Sequence, residues 1–207
     1  SSKPTEEPAE PSLQALGESI GLEWGTAMMP LGMNDNEYKE TLAQQFGFII
    51  PDYGMYMSQT QPKQGVWTFH DMDEIVIYAQ ANDLRVRGHI LVWAMAENAV
   101  GLGSDAWRPT PDWVREGNFS RDEMIAIMGN HIETVMKRYS EDINEWVVVN
   151  EAVGGEQPDE MIDNVWLNGI GEDYVELAFR RAHEVDPDAY LILSDYGADF
   201  IGQLQGG

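Results

Sequence analysis

Residues Trp146 to Glu151 read WVVVNE: four apolar residues, three of them β-branched, closed abruptly by an amide and a carboxyl. A run this short and this apolar is what a strand buried on both faces requires, because neither side of it can meet water. Four similar runs lie elsewhere in the chain, at Leu22 to Ala27, Phe48 to Ile50, Val86 to Leu91 and Tyr190 to Leu193. Each is expected to be a strand of the same kind.

Helical periods fill the spaces between them. Ser120 with Glu123 has the spacing of a capping box and opens a stripe through Met124, Met128, Ile132, Val135, Met136 and Tyr139. Asp71 with Glu74 shows the same signal before Met72, Ile75, Val76 and Ala79. Tyr38, Leu42 and Phe46 form a third face, ended by Gly47, and Val175, Ala178 and Ala182 a fourth, ended by Asp186-Pro187. Strand and helix in alternation predict an α/β fold with parallel strands, since a parallel connection needs a covering element on its return. Five strands and about four helices fit either an open doubly wound sheet or the first part of an eight-stranded (β/α) barrel. No G-x-G-x-x-G and no G-x-x-x-x-G-K-[ST] follows any strand, which weakens the nucleotide-binding form of the open sheet.

Composition sets the outer bounds. With 207 residues and 43% hydrophobic content the chain supports one sizeable core, and seven Trp, eight Tyr and six Phe exclude disorder throughout. Thirty-six acidic against twelve basic residues give a net charge of −24, which argues against a nucleic-acid partner and against an anionic membrane surface. The plain reading of that charge is a heavily solvated surface tolerant of salt. There is no Cys, so neither disulfides nor a thiolate metal site are available. Residues 1–12, SSKPTEEPAEPS, read as an acidic flexible tether, and the folded domain is expected over residues 13–207. No stretch has the ~20 apolar residues of a membrane span. A start on Ser rather than Met leads us to expect that an upstream segment was removed.

In both architectures function belongs at the carboxyl ends of the strands. Those ends carry Asp52 and Tyr53, then His89 and Trp93, then Asn150 and Glu151, then Asp195 and Tyr196. Glu151 is the sharpest candidate: a partly desolvated carboxyl beside other acids would hold its proton toward neutral pH and could protonate a leaving oxygen. Asn150 beside it would hydrogen-bond a hydroxyl. A Glu that merely begins a solvated loop would look the same in sequence. Trp93 and Trp113 flank a polar loop and are candidates for stacking on a sugar, though seven Trp are more often core. The four His, at 70, 89, 131 and 183, lack ligand spacing, so no metal and no cofactor is expected.

Several motifs together resemble glycoside hydrolase family 10: RGHILVW (Arg87 to Trp93), PDWV (Pro111 to Val114), NHIETVMKRY (Asn130 to Tyr139), WVVVNEAV (Trp146 to Val153), the segment Val165 to Ala189, and SDYGA (Ser194 to Ala198). The resemblance runs from about Leu13 to the end and implies a (β/α)8 TIM-type barrel, of which this chain holds about the first five β/α units. It also implies an endo-1,4-β-xylanase, a secreted enzyme that cleaves a β-1,4-linked polysaccharide with retention, using two Glu carboxyls ~5 to 5.5 Å apart. Glu151 matches the acid/base position and Asn150 its sugar-contacting neighbour. The family's nucleophile lies at the end of a seventh strand, beyond the five read here, so the chain alone is expected to be inactive and the missing strands to come from further sequence or another chain.

Departures from the family pattern cluster. Asp52, Tyr53 and Tyr56 stand where it has a Glu-Asn pair and a Lys; Ala94 replaces a His and Ser194 an Asn; Met95 to Thr110 reads as an insertion. These positions hold the sugar on the non-reducing side in the family, and each lost hydrogen bond is worth ~1 kcal/mol. The alternative they raise is a catalytically impaired relative that binds carbohydrate or protein.

Overall fold

The computed structural model describes residues 11–95, 108–154 and 160–195. Five strands, β1 (Gly25–Met28), β2 (Phe48–Pro51), β3 (Arg85–Val92), β4 (Glu145–Asn150) and β5 (Tyr190–Ser194), form one parallel sheet in the order β1-β2-β3-β4-β5. A doubly wound sheet reverses its strand order at a switch point. This one never does, and sequential parallel order is that of a (β/α)8 barrel, here its first five units.

The helices are α1 (Leu13–Glu18), α2 (Asn36–Gln45), α3 (Met57–Thr60), α4 (His70–Ala81), α5 (Asp112–Arg115), α6 (Arg121–Arg138), α7 (Val165–Ile170) and α8 (Tyr174–Val185), with a 3-10 turn at Pro30–Asn34. The four longest, α2, α4, α6 and α8, are the four that periodicity predicts. The other four have six residues or fewer, too short for a period to show. Helix α6 begins as expected: the Ser120 and Glu123 capping box is complete, with Asp122 and Glu123 in the first turn and Lys137 and Arg138 in the last, each sign at the favourable end of the helix dipole.

Three expectations need correction. The box expected at Asp71 and Glu74 does not form: α4 starts at His70, its N-cap Phe69 makes no side-chain bond, and Glu74 lies 3.6 Å from His70 instead. The first strand begins at Gly25, not Leu22, because the chain leaving α1 is still wound, with the Leu22 N–H bonded to the Gly17 carbonyl. Burial on both faces holds for β2 and β4 and most of β3, but β1 and β5 pair on one side only among the described residues, leaving Ala27 exposed and Tyr190 72% and Leu193 49% exposed. The tether expected over 1–12 falls outside the described residues up to 10, as do 96–107 of the expected insertion. No helix among the described residues is long and apolar enough to cross a membrane.

The sheet separates two cores. Trp146 and Val148 of β4 face the helices and join Ile49, Val86, Met128, Ile132 and Ala178 in the main core. Val147, pointing the other way, joins Ile90 and Tyr56 in a smaller cluster with Tyr53, Trp93 and Ile192 packed on it. That alternation is the period of two of a strand. The inner cluster lies directly under the functional rim.

Candidate active site

Two β-bulges shape the rim. On β3 the register passes from His89↔Val147 to Val92↔Val149, and on β4 from Val147↔Ile192 to Val149↔Leu193, so each strand carries one extra residue just before its end. A bulge bends its strand and re-aims the side chains that follow. Here those are Trp93 and Glu151.

Glu151 leaves the ladder with φ 51, in the left-handed region, and its N–H donates to the Ser194 carbonyl at 2.9 Å. Asn150 before it is buried and pairs in register with Ser194. The Glu151 side chain, half-buried, accepts a hydrogen bond from the Trp93 indole, whose Nε1 donates to Oε2 at 2.9 Å. Trp93 is in turn anchored by the Thr110 hydroxyl, which donates to its carbonyl at 2.6 Å. Asp195 accepts the Val153 N–H on Oδ2 at 3.0 Å, tying the segment after Glu151 to the end of β5. The acid expected near Glu151 therefore holds the loop that carries it.

The end of β2 is built around Asp52. Its Oδ1 accepts the Tyr53 N–H at 2.9 Å and the Tyr56 hydroxyl at 2.8 Å, a local turn in which Tyr53 has φ 53. Tyr56 is buried, its ring edge-on to Trp93 (centroids 5.3 Å apart, planes at 80°) and to Tyr53 (5.8 Å, 69°), and 6.4 Å from His89. Burial, reinforced by the bond to Asp52 and its charge, pushes the Tyr56 phenol above its ordinary pKa, so it remains a neutral donor. Burial lowers the pKa of His89 against the opposing pull of Asp52, and its Nδ1 has no hydrogen-bond partner among the described residues. His89 thus faces the site as a neutral imidazole at pH 7.

The structure brings Asp52, His89, Trp93, Asn150, Glu151 and Asp195 to one rim. Trp113 stands apart: its Nε1 donates to the Gln61 carbonyl at 2.9 Å and its ring packs edge-on against Phe119 at 6.2 Å. Tyr196 lies outside the described residues. Tyr56 is singled out in the sequence as a departure that would fill the pocket with a ring, though not as a site residue, and the spacing Asp52-Tyr53-x-x-Tyr56 puts its phenol within reach of the carboxyl. Among the described residues no three His, Asp or Glu side chains gather as a metal site. At the opposite end of the strands Arg85 and Arg87 pair with Glu145, keeping those cations away from the rim.

Comparison with known proteins decides the family: residues 12–203 match the profile of glycosyl hydrolase family 10. The chain belongs to that family. Among relatives of this family 10 chain, "Endo-1,4-beta-xylanase 2" of Claviceps purpurea is 34% identical over 189 residues, covering 91% of the chain and 53% of that protein. "Endo-1,4-beta-xylanase B" of Paenibacillus barcinonensis is 37% identical over 161 residues, 76% of the chain and 45% of that protein. Among solved structures, xylanase XynB of Paenibacillus barcinonensis, complexed with a conduramine derivative, superposes with a TM-score of 0.77 at 32% identity, over 93% of this chain and 55% of that one. Xylanase 10B of Thermotoga petrophila RKU-1, in complex with xylobiose, gives 0.78 at 27% identity, over 92% and 54%. The family 10 chain spans about half the length of the relatives it matches.

Proposed function

We propose that this family 10 chain carries the acid/base side of an endo-1,4-β-xylanase-type site that takes a β-1,4-linked xylan or its oligosaccharides. Glu151 protonates the leaving glycosidic oxygen and, once ionised, draws a proton from the incoming water. Asn150 hydrogen-bonds a sugar hydroxyl, while Asp52, His89, Trp93 and Asp195 line the sugar path, with Trp113 as an outlying stacking surface. The observation that carries this reading is the Trp93 Nε1 to Glu151 Oε2 bond, which holds one carboxyl oxygen at the rim of the barrel by a donor that cannot itself take the proton.

Retention of configuration needs a second carboxyl as nucleophile. Among the described residues no Glu after Glu151 follows a strand. The remaining strand-end acids are already engaged, Asp52 by Tyr53 and Tyr56, and Asp195 by Val153. We therefore expect this polypeptide alone not to turn over xylan, and the nucleophile to arrive with further strands placed beside β5, from more sequence or from another chain. We expect the working protein to meet such a polymer outside the cell. The second reading, a relative that binds sugar without cleaving it, is favoured by one observation: Tyr56 occupies the space beside Trp93. Calorimetric titration with xylotriose tests the common part. Saturable binding, weakened about tenfold by Asn150→Ala, supports the site; no heat with any xylo-oligosaccharide contradicts it.

A further inference from the structure

Asp52, Tyr56, Trp93 and Glu151 form an unbroken run of contacts across the rim, from the end of β2 to the end of β4. The Tyr56 hydroxyl is tied to Asp52 at 2.8 Å, its ring meets the Trp93 ring at 5.3 Å, and the Trp93 indole bonds Glu151 at 2.9 Å. Beneath Tyr56 lie Ile90 and Val147, and only 6% of the tyrosine is exposed. A pyranose entering between Asp52 and Glu151 has to displace a buried phenol ring, breaking its hydrogen bond and uncovering the apolar cluster below. Past Glu151, β5 is half-buried to exposed among the described residues. Glu151 therefore has a filled side toward β2.

We propose that Tyr56 is a specificity-determining wall that closes the β2 side of the Glu151 site, so that a β-1,4-linked xylo-oligosaccharide is accepted by one chain end and not along its middle. This rests on the sugar-binding reading above, keeps its substrate class, and replaces the endo mode with binding at a chain end. Such a wall selects by steric exclusion rather than by attraction. The hydrogen bond to Asp52 fixes the ring across the gap.

The test uses three probes on the 207-residue chain: xylotriose, xylotriose bearing an aryl group on its reducing-end oxygen, and xylotriose bearing an aryl ether on O4 of its non-reducing end. Wild type and Tyr56→Phe, which keeps the ring, are expected to bind the plain sugar and one capped form, with the other capped form about tenfold weaker or worse. Tyr56→Ala is expected to bind both capped forms alike. Tyr56→Leu, which shortens the wall but preserves apolar contact with Ile90 and Val147, gives the same reading if the alanine variant does not fold. Wild type binding both capped forms as tightly as plain xylotriose overturns the proposal, as does discrimination that persists unchanged in a folded alanine or leucine variant. Wild type binding no form of xylotriose is a different result, and it contradicts the sugar site itself.

Discussion

The indole N–H of Trp93 reaches across the rim from the end of β3 to Oε2 of Glu151 at the end of β4, at 2.9 Å. A carboxyl on a loop has several rotamers open to it; one held by a fixed donor has fewer, and a binding site gains from that restriction. Replacement of Trp93 by Phe keeps a ring against Tyr56 and removes the donor. We expect xylotriose affinity to fall three- to tenfold, about 1 kcal/mol, with far-UV circular dichroism unchanged. Equal affinity in the variant would mean that the bond does not order the site.

His131 predicts an acid limit to stability. It is buried in α6, stacked on Trp67 with ring centroids 6.0 Å apart, and burial lowers its pKa to about 3. The folded protein holds it neutral, whereas the unfolded chain protonates it below about 6.5. Its contribution is therefore complete above pH 6.5 and is lost progressively as pH falls toward 3. Between pH 6.5 and 5 that amounts to roughly 2 kcal/mol. His131→Phe, measured by urea unfolding at pH 7 and pH 5, is expected to lose less stability than wild type by about that amount.

Gly88 lies beside Trp146 in the ladder, and a Cβ there would come 2.3 Å from the indole ring, a side chain only 1% exposed. Neither group has room to move. Gly88→Ala is expected to cost at least 1–3 kcal/mol, about the range for overpacked cores, and to lower the melting temperature by several degrees. An unchanged melting curve would contradict the packing described between β3 and β4.

Much of this architecture is legible in the sequence because the signals are local. The WVVVN run, the Ser120 and Glu123 box and the stripe from Met124 to Tyr139 each depend on neighbours within a few residues. Where a signal fails, a contact outside the pattern has intervened, as between Glu74 and His70 or Leu22 and Gly17. Asp73 of α4 accepts bonds from Arg138 and Tyr139 at the end of α6, a tertiary tie that nothing near Asp71 and Glu74 announces. The site divides in the same way. That Glu151 closes a strand follows from the order of residues; that Trp93 holds it depends on two bulges in neighbouring strands, and that Tyr56 fills the gap depends on the turn after β2. Trp113 looked like Trp93 in sequence, yet its partner is the Gln61 carbonyl.

Among the described residues the outer edge of β5 is unpaired, with Tyr190 and Leu193 exposed, and such an edge offers backbone groups and apolar side chains to another strand. We expect light scattering after size exclusion to show association that grows with protein concentration, and Leu193→Lys to reduce it. A monodisperse, cooperatively melting monomer at all concentrations would count against the open edge.

The carboxyl of Glu151 is expected to face a sugar at the mouth of the barrel. A crystal structure of the chain with xylotriose bound tests it most directly. A glycosidic oxygen is expected within hydrogen-bonding distance of Glu151, with Asn150 on a neighbouring hydroxyl and the Trp93 bond intact. A trisaccharide seated elsewhere on the protein, with Glu151 turned to solvent, would contradict it.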